Sequence, residues 1–296
     1  MIRKPVSVFG ILGYPIAHTL SPAMHNAAFR ALDMPGVYLP FEVHPDPLKE
    51  AVGAVRALGI RGMNVTRPHK EAVIPYLDRL SVEARKIGAV NTIEVARGTL
   101  VGHNTDGMGF LKSLADAGVD PAGIRVILLG AGGAARGVAV SLLSQKISEL
   151  IILSRSGKRG HSLMATLNSL GQKRGTSSRT KISLYPFTTM RDFGDDATLL
   201  VNTTPLGMRK QDPVPYPLRL LHKTWIVADL IYAPLRTPLL SAAERIGAKP
   251  VSGIGMLIHQ AAIAFNIWTK KEAPIEAMRQ AVGKSQVVPE IVDENT

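Results

Sequence analysis

The sequence predicts an α/β protein built from two domains. Short apolar strands alternate with helical stretches through about residue 105, which is typical of a sheet covered by helices. A second unit of the same kind begins near Asp106. Its segment Arg125–Leu129 is apolar after the first residue, as a strand inside a buried parallel sheet requires. At 296 residues, the chain is also longer than a single hydrophobic core usually supports.

In the first domain, strand patterns are predicted to alternate with helical ones. Segment 6–12 reads as the first strand, and a helix with an apolar stripe follows from Ser21 and Pro22. Two segments form a predicted hairpin around Arg97 and Gly98, at 88–95 and 99–102. The other expected elements are strands over 37–43 and 62–66 and helices over 48–58 and 68–77.

The second domain is predicted to begin with a helix over 107–117. The strand Arg125–Leu129 then leads into a glycine-rich loop and a helix that ends near residue 144. Further apolar runs predict strands over 150–153, 181–185, 198–202, 225–229 and 249–251. Two helices, over 256–268 and 272–282, end the folded chain, and residues 284–296 are expected to form a tail.

Composition and charge narrow the class of protein. The net charge of +12 is compatible with nucleic-acid binding, and seven basic residues with no acidic one lie between Arg155 and Lys181. The remaining excess is scattered and is not interleaved with aromatic residues, so we expect no nucleic-acid partner. No apolar run approaches the roughly 18 residues of a membrane span, and no signal-peptide pattern opens the sequence, so we expect no membrane partner and a cytoplasmic location. The absence of cysteine excludes disulfides and thiolate metal sites, and we expect no metal.

Lys70 is a candidate for proton transfer. It follows the predicted strand 62–66 and lies near the start of the predicted helix 68–77, for which Pro68 suits the first position. Unpaired N–H groups give a helix start a positive partial charge, which disfavours an ammonium group and would lower the pKa of Lys70 towards neutrality. The alternative is a solvated surface lysine beside Glu71.

The glycine-rich loop at 130–137 predicts dinucleotide binding. Gly130 and Gly132 occupy the first two positions of the pattern and Ala135 the third, between an apolar strand and a helix. Gly130 permits a tight turn and Gly132 lets the backbone approach a pyrophosphate, while the helix from Gly133 supplies N–H donors. This is the pattern of a Rossmann-type fold, and the alternative is a plain structural turn.

The end of the following strand favours NADP over NAD. An NAD site usually places a carboxylate there for the ribose 2′-hydroxyl, and residues 153–159 contain none. Arg155 and Arg159 could instead hold a 2′-phosphate through planar, charge-assisted contacts. The alternative is a solvated basic loop.

Asp106 is the second candidate for acid–base chemistry. It lies at the junction of the two predicted domains, directly before the helix predicted over 107–117. Aspartate is among the best N-cap residues, so a capping role is the alternative. The two roles are compatible because substrates commonly bind in the cleft between domains, which we expect here.

These segments and several others resemble a shikimate dehydrogenase. The resemblance extends from about residue 6 to residue 280, nearly the whole chain. It is carried by TLSP at 19–22, NVTRPHK at 64–70, GAVNT at 88–92, NTDG at 104–107, GAGGAARG at 130–137, NTTPLGM at 202–208, DLIY at 229–232 and GIGMLIHQAA at 253–262.

The resemblance implies reversible, NADPH-dependent reduction of 3-dehydroshikimate to shikimate, a step of aromatic amino-acid synthesis. It implies a substrate-binding domain over 1–106, with the helices of about 254–283 packed back on it, and a Rossmann NADP-binding domain over 107–253. We expect a monomer or homodimer, and the sequence does not distinguish between them. The nearest rivals are a quinate/shikimate dehydrogenase using NAD and a non-catalytic regulator that senses NADP or shikimate.

The resemblance also assigns roles to individual residues. Lys70 and Asp106 match the catalytic pair of the family. The implied substrate ligands are Thr19 and Ser21 for the carboxylate, Tyr232 near it, Thr66 and Asn91 for the ring hydroxyls, and Gln260. The expected cofactor contacts are Gly130, Ala131, Gly132, Gly133, Ala134, Ser154, Arg155, Ser156, Arg159, Leu230 and Gly253.

Each substrate ligand has a structural alternative. Ser21 before Pro22 would make a good helix N-cap, and Gln260 could be a satisfied polar residue inside an apolar helix. Asn91 could be a turn residue and Tyr232 a core residue.

The sequence also departs from the family pattern at several positions. Thr19 stands where serine is usual and His103 where aspartate is common, and the positively charged Arg67 lies near Lys70. Ser154 and Ser156 replace the common asparagine and threonine around Arg155. These departures affect the expected affinity and cofactor strictness rather than the reaction. The basic stretch over 168–180 could be a partner-binding loop or merely a flexible segment.

Overall fold

The computed structural model describes residues 5–172, 180–190, 192–194, 196 and 198–285. These form two compact units. The first comprises the described residues up to Leu80, Val90–His103 and the described residues from Ala261 onwards. The second comprises Ser81–Ala89 and the described residues of 104–260. The domain boundaries expected at 106 and 253 stay predictions.

The first unit contains a six-stranded mixed sheet in the order β2-β1-β3-β5-β6-β4. Strands β1 and β2 and strands β1 and β3 are parallel, whereas β5 pairs antiparallel with both β3 and β6. The turn between β5 and β6 has positive φ at Arg97 and Gly98, as predicted for a two-residue hairpin. The elements are β1 Ser7–Gly13, α1 Ser21–Ala31, β2 Gly36–Glu42, α2 Leu48–Ala57, β3 Gly62–Val65, β4 Arg79–Leu80, β5 Thr92–Ala96 and β6 Thr99–His103.

Aromatic rings form much of the core of this unit. Phe9 stacks on Phe29 with ring centroids 5.0 Å apart, and Trp268 lies 5.5 Å from Phe9. The Trp268 indole N–H donates to the Ile93 carbonyl at 2.9 Å, which ties the last turn of a C-terminal helix to the sheet. A Cβ atom at Gly62 would overlap the indole ring, so only glycine fits there.

The second unit contains a six-stranded, fully parallel sheet in the order β12-β11-β10-β7-β8-β9. Its central strands β7, β8 and β10 are buried along almost their whole length, which explains their continuous apolar sequences. The strands are β7 Arg125–Leu129, β8 Glu149–Ser154, β9 Lys181–Pro186, β10 Thr198–Asn202, β11 Ile226–Asp229 and β12 Lys249–Ser252. The helices are α3 Val82–Ile87, α4 Asp106–Asp116, α5 Gly133–Leu143, α6 Gly157–Gln172 and α7 Pro238–Arg245.

Two further helices complete the fold. They are α8 Gly253–Thr269, inside which the boundary between the units falls, and α9 Ile275–Ser285, which belongs to the first unit. Among the helices of the described residues, none combines the length and the hydrophobicity that a membrane span requires.

A buried arginine explains why Ser81–Ala89 belongs to the second unit. Arg136 on α5 donates to the Ser162 hydroxyl on α6 at 2.6 Å and approaches the Ile87 carbonyl of α3 at 3.5 Å. Its guanidinium therefore joins three helices, and Gly88, in the left-handed conformation, ends α3 beside it.

The largest error of the sequence prediction is the helix over 68–77. Residues 67–73 form turns instead, followed by a short 3₁₀ helix at Ile74–Tyr76. Three helices were not predicted, namely α3, α6 and α7. Part of the basic stretch over 168–180 lies outside the described residues.

Candidate functional site

In the first unit, main-chain hydrogen bonds join the segments that carry three of the predicted site residues. Thr66 follows β3, and its amide donates to the Leu12 carbonyl at 2.9 Å. The Val65 amide donates to the Asn91 carbonyl at 2.8 Å, and the Val90 amide donates to the Lys70 carbonyl at 2.7 Å. The backbones at Thr66, Lys70 and Asn91 are thus held together at one end of the central strands β3 and β5.

The turn that carries Lys70 replaces the predicted helix. The helix-terminus argument for a lowered lysine pKa therefore does not apply to this residue. A second contact fixes this turn. His69 is 1% exposed, and its Nε2 lies 2.7 Å from the Val43 carbonyl. Since a carbonyl can only accept, Nε2 carries the hydrogen, and the ring ties the turn to the segment after β2.

Ser21 and Thr19 lie together at the start of α1. Ser21 is the first residue of the helix, and its amide donates to the Thr19 hydroxyl at 3.3 Å. The N-cap position belongs to Leu20, and no side chain caps this helix. The alternative role of Ser21 as an N-cap is therefore wrong.

Two buried rings lie near Ser21: Tyr38 is hydrogen-bonded to it, and His25 stacks on Tyr38. Burial raises the pKa of Tyr38 well above its usual value, an effect that a hydrogen bond with the Ser21 side chain opposes. The His25 ring stacks on Tyr38 with centroids 4.3 Å apart, and burial lowers the pKa of His25 to about 3. A hydrogen bond with the Asn64 side chain opposes this effect, and His25 is a neutral, flat packing residue.

His103, a departure from the family pattern, belongs to an ion-pair cluster. Its Nε2 lies 3.1 Å from one oxygen of Glu94, and Lys270 contacts the other oxygen at 2.7 Å. These contacts account for a basic residue at this position.

In the second unit, Asp106 is the first residue of α4 and is 3% exposed. The N-cap is Thr105, so the predicted capping role of Asp106 is wrong. Its amide donates to the Asn104 side-chain oxygen at 3.1 Å, and the Asn104 amide group donates to the Ala89 carbonyl at 2.9 Å. Hydrogen bonds on the preceding loop therefore fix the backbone at this carboxylate.

Close contact between two helices also positions Asp106. A Cβ atom at Gly137 on α5 would lie 3.1 Å from the Asp106 Cβ, and one at Gly107 would overlap the Gly137 carbonyl. No separate role was predicted for Gly137. Its position two residues after Ala135, in the helix that the glycine loop opens, was the available signal.

Gln260 lies on α8, half-buried. Its side-chain amide donates to the Leu257 carbonyl at 2.7 Å, and its own carbonyl accepts from the Thr105 hydroxyl at 3.1 Å. The loop before Asp106 is therefore attached to the backbone at Gln260. Tyr232 is half-buried in the loop after β11.

The glycine loop has the features that a dinucleotide requires. Gly130 has φ of +108°, and a Cβ there would lie 2.6 Å from the Thr203 hydroxyl. Gly132 is the N-cap of α5 with no side-chain cap, and nothing lies within 4 Å of where its Cβ would be. The space beside Gly132 and the N–H groups of Gly133 and Ala134 fit a pyrophosphate. Ala131, between the glycines, is buried.

The turn after β8 presents two arginines to solvent. Arg155 and Arg159 are exposed, and the buried Ser154 hydroxyl donates to the Ser156 carbonyl at 2.9 Å. The Ser156 hydroxyl accepts from the Arg159 amide at 3.4 Å. The serines shape the turn, and both guanidinium groups remain available to a phosphate.

A buried carboxylate supports the loops that carry Leu230 and Tyr232. Asp229 is fully buried, and its oxygens accept from the Asn202 side chain at 2.9 Å, the Ile231 amide at 3.1 Å and the Thr237 hydroxyl at 2.8 Å. Burial raises the pKa of Asp229, against these three hydrogen bonds. Gly253 lies next to this loop, where a Cβ would be 2.5 Å from the Leu230 carbonyl oxygen. Asp229 belongs to the motif DLIY at 229–232, but no role was predicted for its carboxylate.

Comparison with known proteins decides the family. Residues 11–93 match the family model of the shikimate dehydrogenase substrate binding domain, and residues 253–282 match that of the shikimate 5′-dehydrogenase C-terminal domain. Over 284 residues the chain is 46% identical to the shikimate dehydrogenase (NADP(+)) of Methanopyrus kandleri, spanning 95% of this chain and 96% of that protein. The chain belongs to the shikimate dehydrogenase family.

Solved structures agree with this assignment. A crystal structure of a shikimate dehydrogenase in complex with NADP+ superposes with a TM-score of 0.84 at 37% identity, covering 95% of this chain and 96% of the other. The quinate dehydrogenase from Corynebacterium glutamicum in complex with NAD has a TM-score of 0.84 at 30% identity, covering 94% and 99%. The predicted α/β fold, with an N-terminal substrate-binding and a C-terminal Rossmann-like domain, is thereby confirmed.

Proposed function

We propose that this protein is an NADP-dependent shikimate dehydrogenase that reversibly reduces 3-dehydroshikimate to shikimate. The observation that carries the proposal is the 46% identity over 284 residues to a protein named for this activity. The residues that the chemistry needs, Lys70, Asp106 and the glycine loop from Gly130, are all present.

In this proposal, Lys70 is the proton donor and Asp106 the second member of the acid–base pair. NADPH, when bound, supplies the hydride. Lys70 protonates the oxygen that becomes negative as the ketone is reduced, and its positive charge stabilises that oxygen beforehand. The main-chain bond between Val90 and Lys70 supports this role, since it fixes the backbone from which the lysine side chain extends.

Polar side chains bind the rest of the substrate. We assign the carboxylate to Thr19 and Ser21, and the ring hydroxyls to Thr66 and Asn91. We assign Gln260 and Tyr232 as further substrate ligands. The adjacency of Thr19 and Ser21 at the start of α1 supports the carboxylate assignment, since two hydroxyl groups can donate to its two oxygens.

The cofactor residues divide into two groups. Gly130, Ala131, Gly132, Gly133 and Ala134 hold the pyrophosphate, and Ser154, Arg155, Ser156 and Arg159 form the pocket for the 2′-phosphate. Leu230 and Gly253, whose backbones lie in contact, are assigned as further cofactor contacts. The exposed arginines and the absence of an acidic residue over 153–159 support NADP over NAD.

The test is an assay of NADP+ reduction with shikimate, run in parallel with quinate and with NAD+. Faster turnover of shikimate with NADP+ than of any other combination is the expected result. Preference for quinate with NAD+ would instead indicate the activity for which the Corynebacterium neighbour is named. Binding of NADP+ without turnover of either acid would indicate a regulator. The cytoplasmic location and the monomeric or homodimeric state stay predictions.

A further inference from the structure

Four polar side chains form a continuous hydrogen-bonded chain inside the first unit. They belong to Tyr38 on β2, Asn64 on β3, and Asn91 and Thr92 at the start of β5. Each is at most 5% exposed. Only Asn91 has a proposed contact with substrate, so the function described above does not account for the other three.

The hydrogen bonds of the chain run in one direction. The Tyr38 hydroxyl donates to the Asn64 side-chain oxygen at 2.7 Å. The Asn64 amide nitrogen donates to the Thr92 hydroxyl at 3.0 Å and to the Asn91 main-chain carbonyl at 3.1 Å. The Thr92 hydroxyl then donates to the Asn91 side-chain oxygen at 3.0 Å.

The main-chain carbonyl of Asn91 sets this direction. A carbonyl oxygen can only accept, so Asn64 must turn its nitrogen towards it, and its oxygen must then accept from Tyr38. With the Asn64 nitrogen as its donor, Thr92 has one hydrogen left to give, and the Asn91 side-chain oxygen is its acceptor among the described residues. An inverted Asn64 would place two oxygens against each other at a buried site, which is costly.

We propose that Tyr38, Asn64 and Thr92 are positioning residues that fix the orientation of the Asn91 amide. The Asn91 oxygen is turned towards Thr92, so the amide meets the substrate with its Nδ2 group, a donor. This donor selects a ligand oxygen that can accept, such as a ring hydroxyl or ketone. The inference deepens the proposed function and rests on it for the substrate.

The location of these hydrogen-bonded side chains explains why the orientation of the Asn91 amide matters. The Asn91 carbonyl is bonded to the Val65 amide, and the preceding residue, Val90, is bonded to the Lys70 carbonyl. A wrongly oriented Asn91 amide would therefore lie directly beside the backbone of Lys70, the proposed proton donor. Small misplacement of substrate in an active site costs about 10²-fold in rate.

The kinetic test uses two substitutions at Thr92. Thr92→Val removes the hydroxyl while keeping the volume, and Thr92→Ser restores the hydroxyl. We expect Thr92→Val to lower kcat/KM for shikimate about 10- to 100-fold with the Kd for NADP+ unchanged. Thr92→Ser should stay within about threefold of the wild type. Thr99→Val, on the neighbouring strand β6, is the matched control and should leave kcat/KM unchanged.

A second variant addresses the other end of the chain. Tyr38→Phe removes the donor to Asn64 and also the contact with Ser21, so its effect is read on Asn91 itself. In ligand-free protein labelled with ¹⁵N-asparagine, the Asn91 side-chain amide signals should shift in Tyr38→Phe as they do in Thr92→Val. Loss of stability with a wild-type kcat/KM in folded Thr92→Val would show a purely structural role and overturn the proposal. Unchanged Asn91 side-chain signals in folded Tyr38→Phe would overturn the role of Tyr38.

A measurement without substrate separates this inference from the proposed function. In ligand-free protein labelled with ¹⁵N-asparagine, the side-chain amide signals of Asn91 should shift and exchange faster with solvent in Thr92→Val than in wild type or Thr92→Ser. Unchanged Asn91 signals would refute the positioning role even if the enzyme is active. A shifted signal in a protein that turns over neither shikimate nor quinate would support the positioning role and refute the function.

Discussion

The backbone amide of Val90 donates a hydrogen bond of 2.7 Å to the carbonyl oxygen of Lys70. The adjacent residue, Asn91, accepts from the Val65 amide at 2.8 Å. The proposed proton donor and a proposed substrate ligand therefore extend from backbone segments that are bonded to one another. Because the bond uses main-chain atoms only, the Lys70 side chain can be replaced without breaking it.

Lys70→Ala should abolish most of the activity while preserving the fold. We expect kcat to fall by the ~10²–10⁴ typical of an acid–base group, with the Kd for NADPH and the thermal unfolding temperature unchanged. Steady-state kinetics and cofactor titration measure both. Lys49→Ala, an exposed lysine on α2, is the control and should behave as wild type. An undiminished kcat in Lys70→Ala would exclude this residue from the mechanism.

The double variant Arg155→Ala/Arg159→Ala should lose discrimination between the two cofactors. Charge-assisted contacts to a phosphate are worth about 1.5–3 kcal/mol each, so KM for NADP+ should rise at least ~10-fold. KM for NAD+, which has no 2′-phosphate, should change less than about threefold. Arg219→Ala, an exposed arginine on a short 3₁₀ helix, is the control. An equal rise for both cofactors would place the arginines elsewhere in the site.

His25 should make the protein less stable in acid. Its pKa is about 3 when folded and about 6.5 when unfolded, so between these values the unfolded state binds the additional proton. The contribution of His25 is complete above pH ~6.5 and falls towards pH ~3, by up to about 1.4 kcal/mol per pH unit. Urea unfolding from pH 4 to 7 should show a flatter curve for His25→Phe than for wild type.

His44, a half-exposed histidine, provides the control for that experiment. The curve of His44→Gln should follow the wild-type slope, because an exposed ring is solvated in both the folded and the unfolded state. Parallel curves for His25→Phe and wild type would contradict the assignment of the acid sensitivity to His25.

Thr237→Val should destabilise the second unit. The Thr237 hydroxyl donates to Asp229 at 2.8 Å and accepts from the Leu240 amide at 3.2 Å as the N-cap of α7. Its loss leaves a buried carboxylate oxygen short of a donor and the helix without its cap, so the free energy of unfolding should fall by about 2–3 kcal/mol. Chemical denaturation measures this fall. The exposed Thr188→Val is the control, and a loss below about 0.5 kcal/mol at Thr237 would contradict the network.

Much of the fold was predictable because local patterns agree with it. Strand Arg125–Leu129 was predicted at its observed limits, and the helix starting at Ser21 at its observed start. Helix α6 was missed because its amino-terminal part, with Gly157 and Gly160, has weak helix propensity. The close packing of Gly160 against Leu184 of β9 stabilises it instead, and that contact joins residues far apart in the chain.

The turn at Lys70 shows where local patterns fail. Pro68 and the charged residues after it are compatible with a helix start, but residues 67–73 are held as turns by His69 bonded to the Val43 carbonyl and Lys70 bonded to Val90. These contacts cross 26 and 20 positions of sequence, and tertiary contacts of this kind override weak propensities.

The amino-acid sequence alone determined the class of fold, the glycine loop, the missing acid after β8 and the residues matched to a dehydrogenase. Each of these depends on residue types at short spacing, which a linear pattern records. The tertiary structure alone decided that Ser21 and Asp106 are not N-caps, and that Asn91 is turned by Thr92, Asn64 and Tyr38. The reason is that a hydrogen bond between Tyr38 and Asn64, 26 residues apart, exists only once β1, β2 and β3 lie side by side and exclude water.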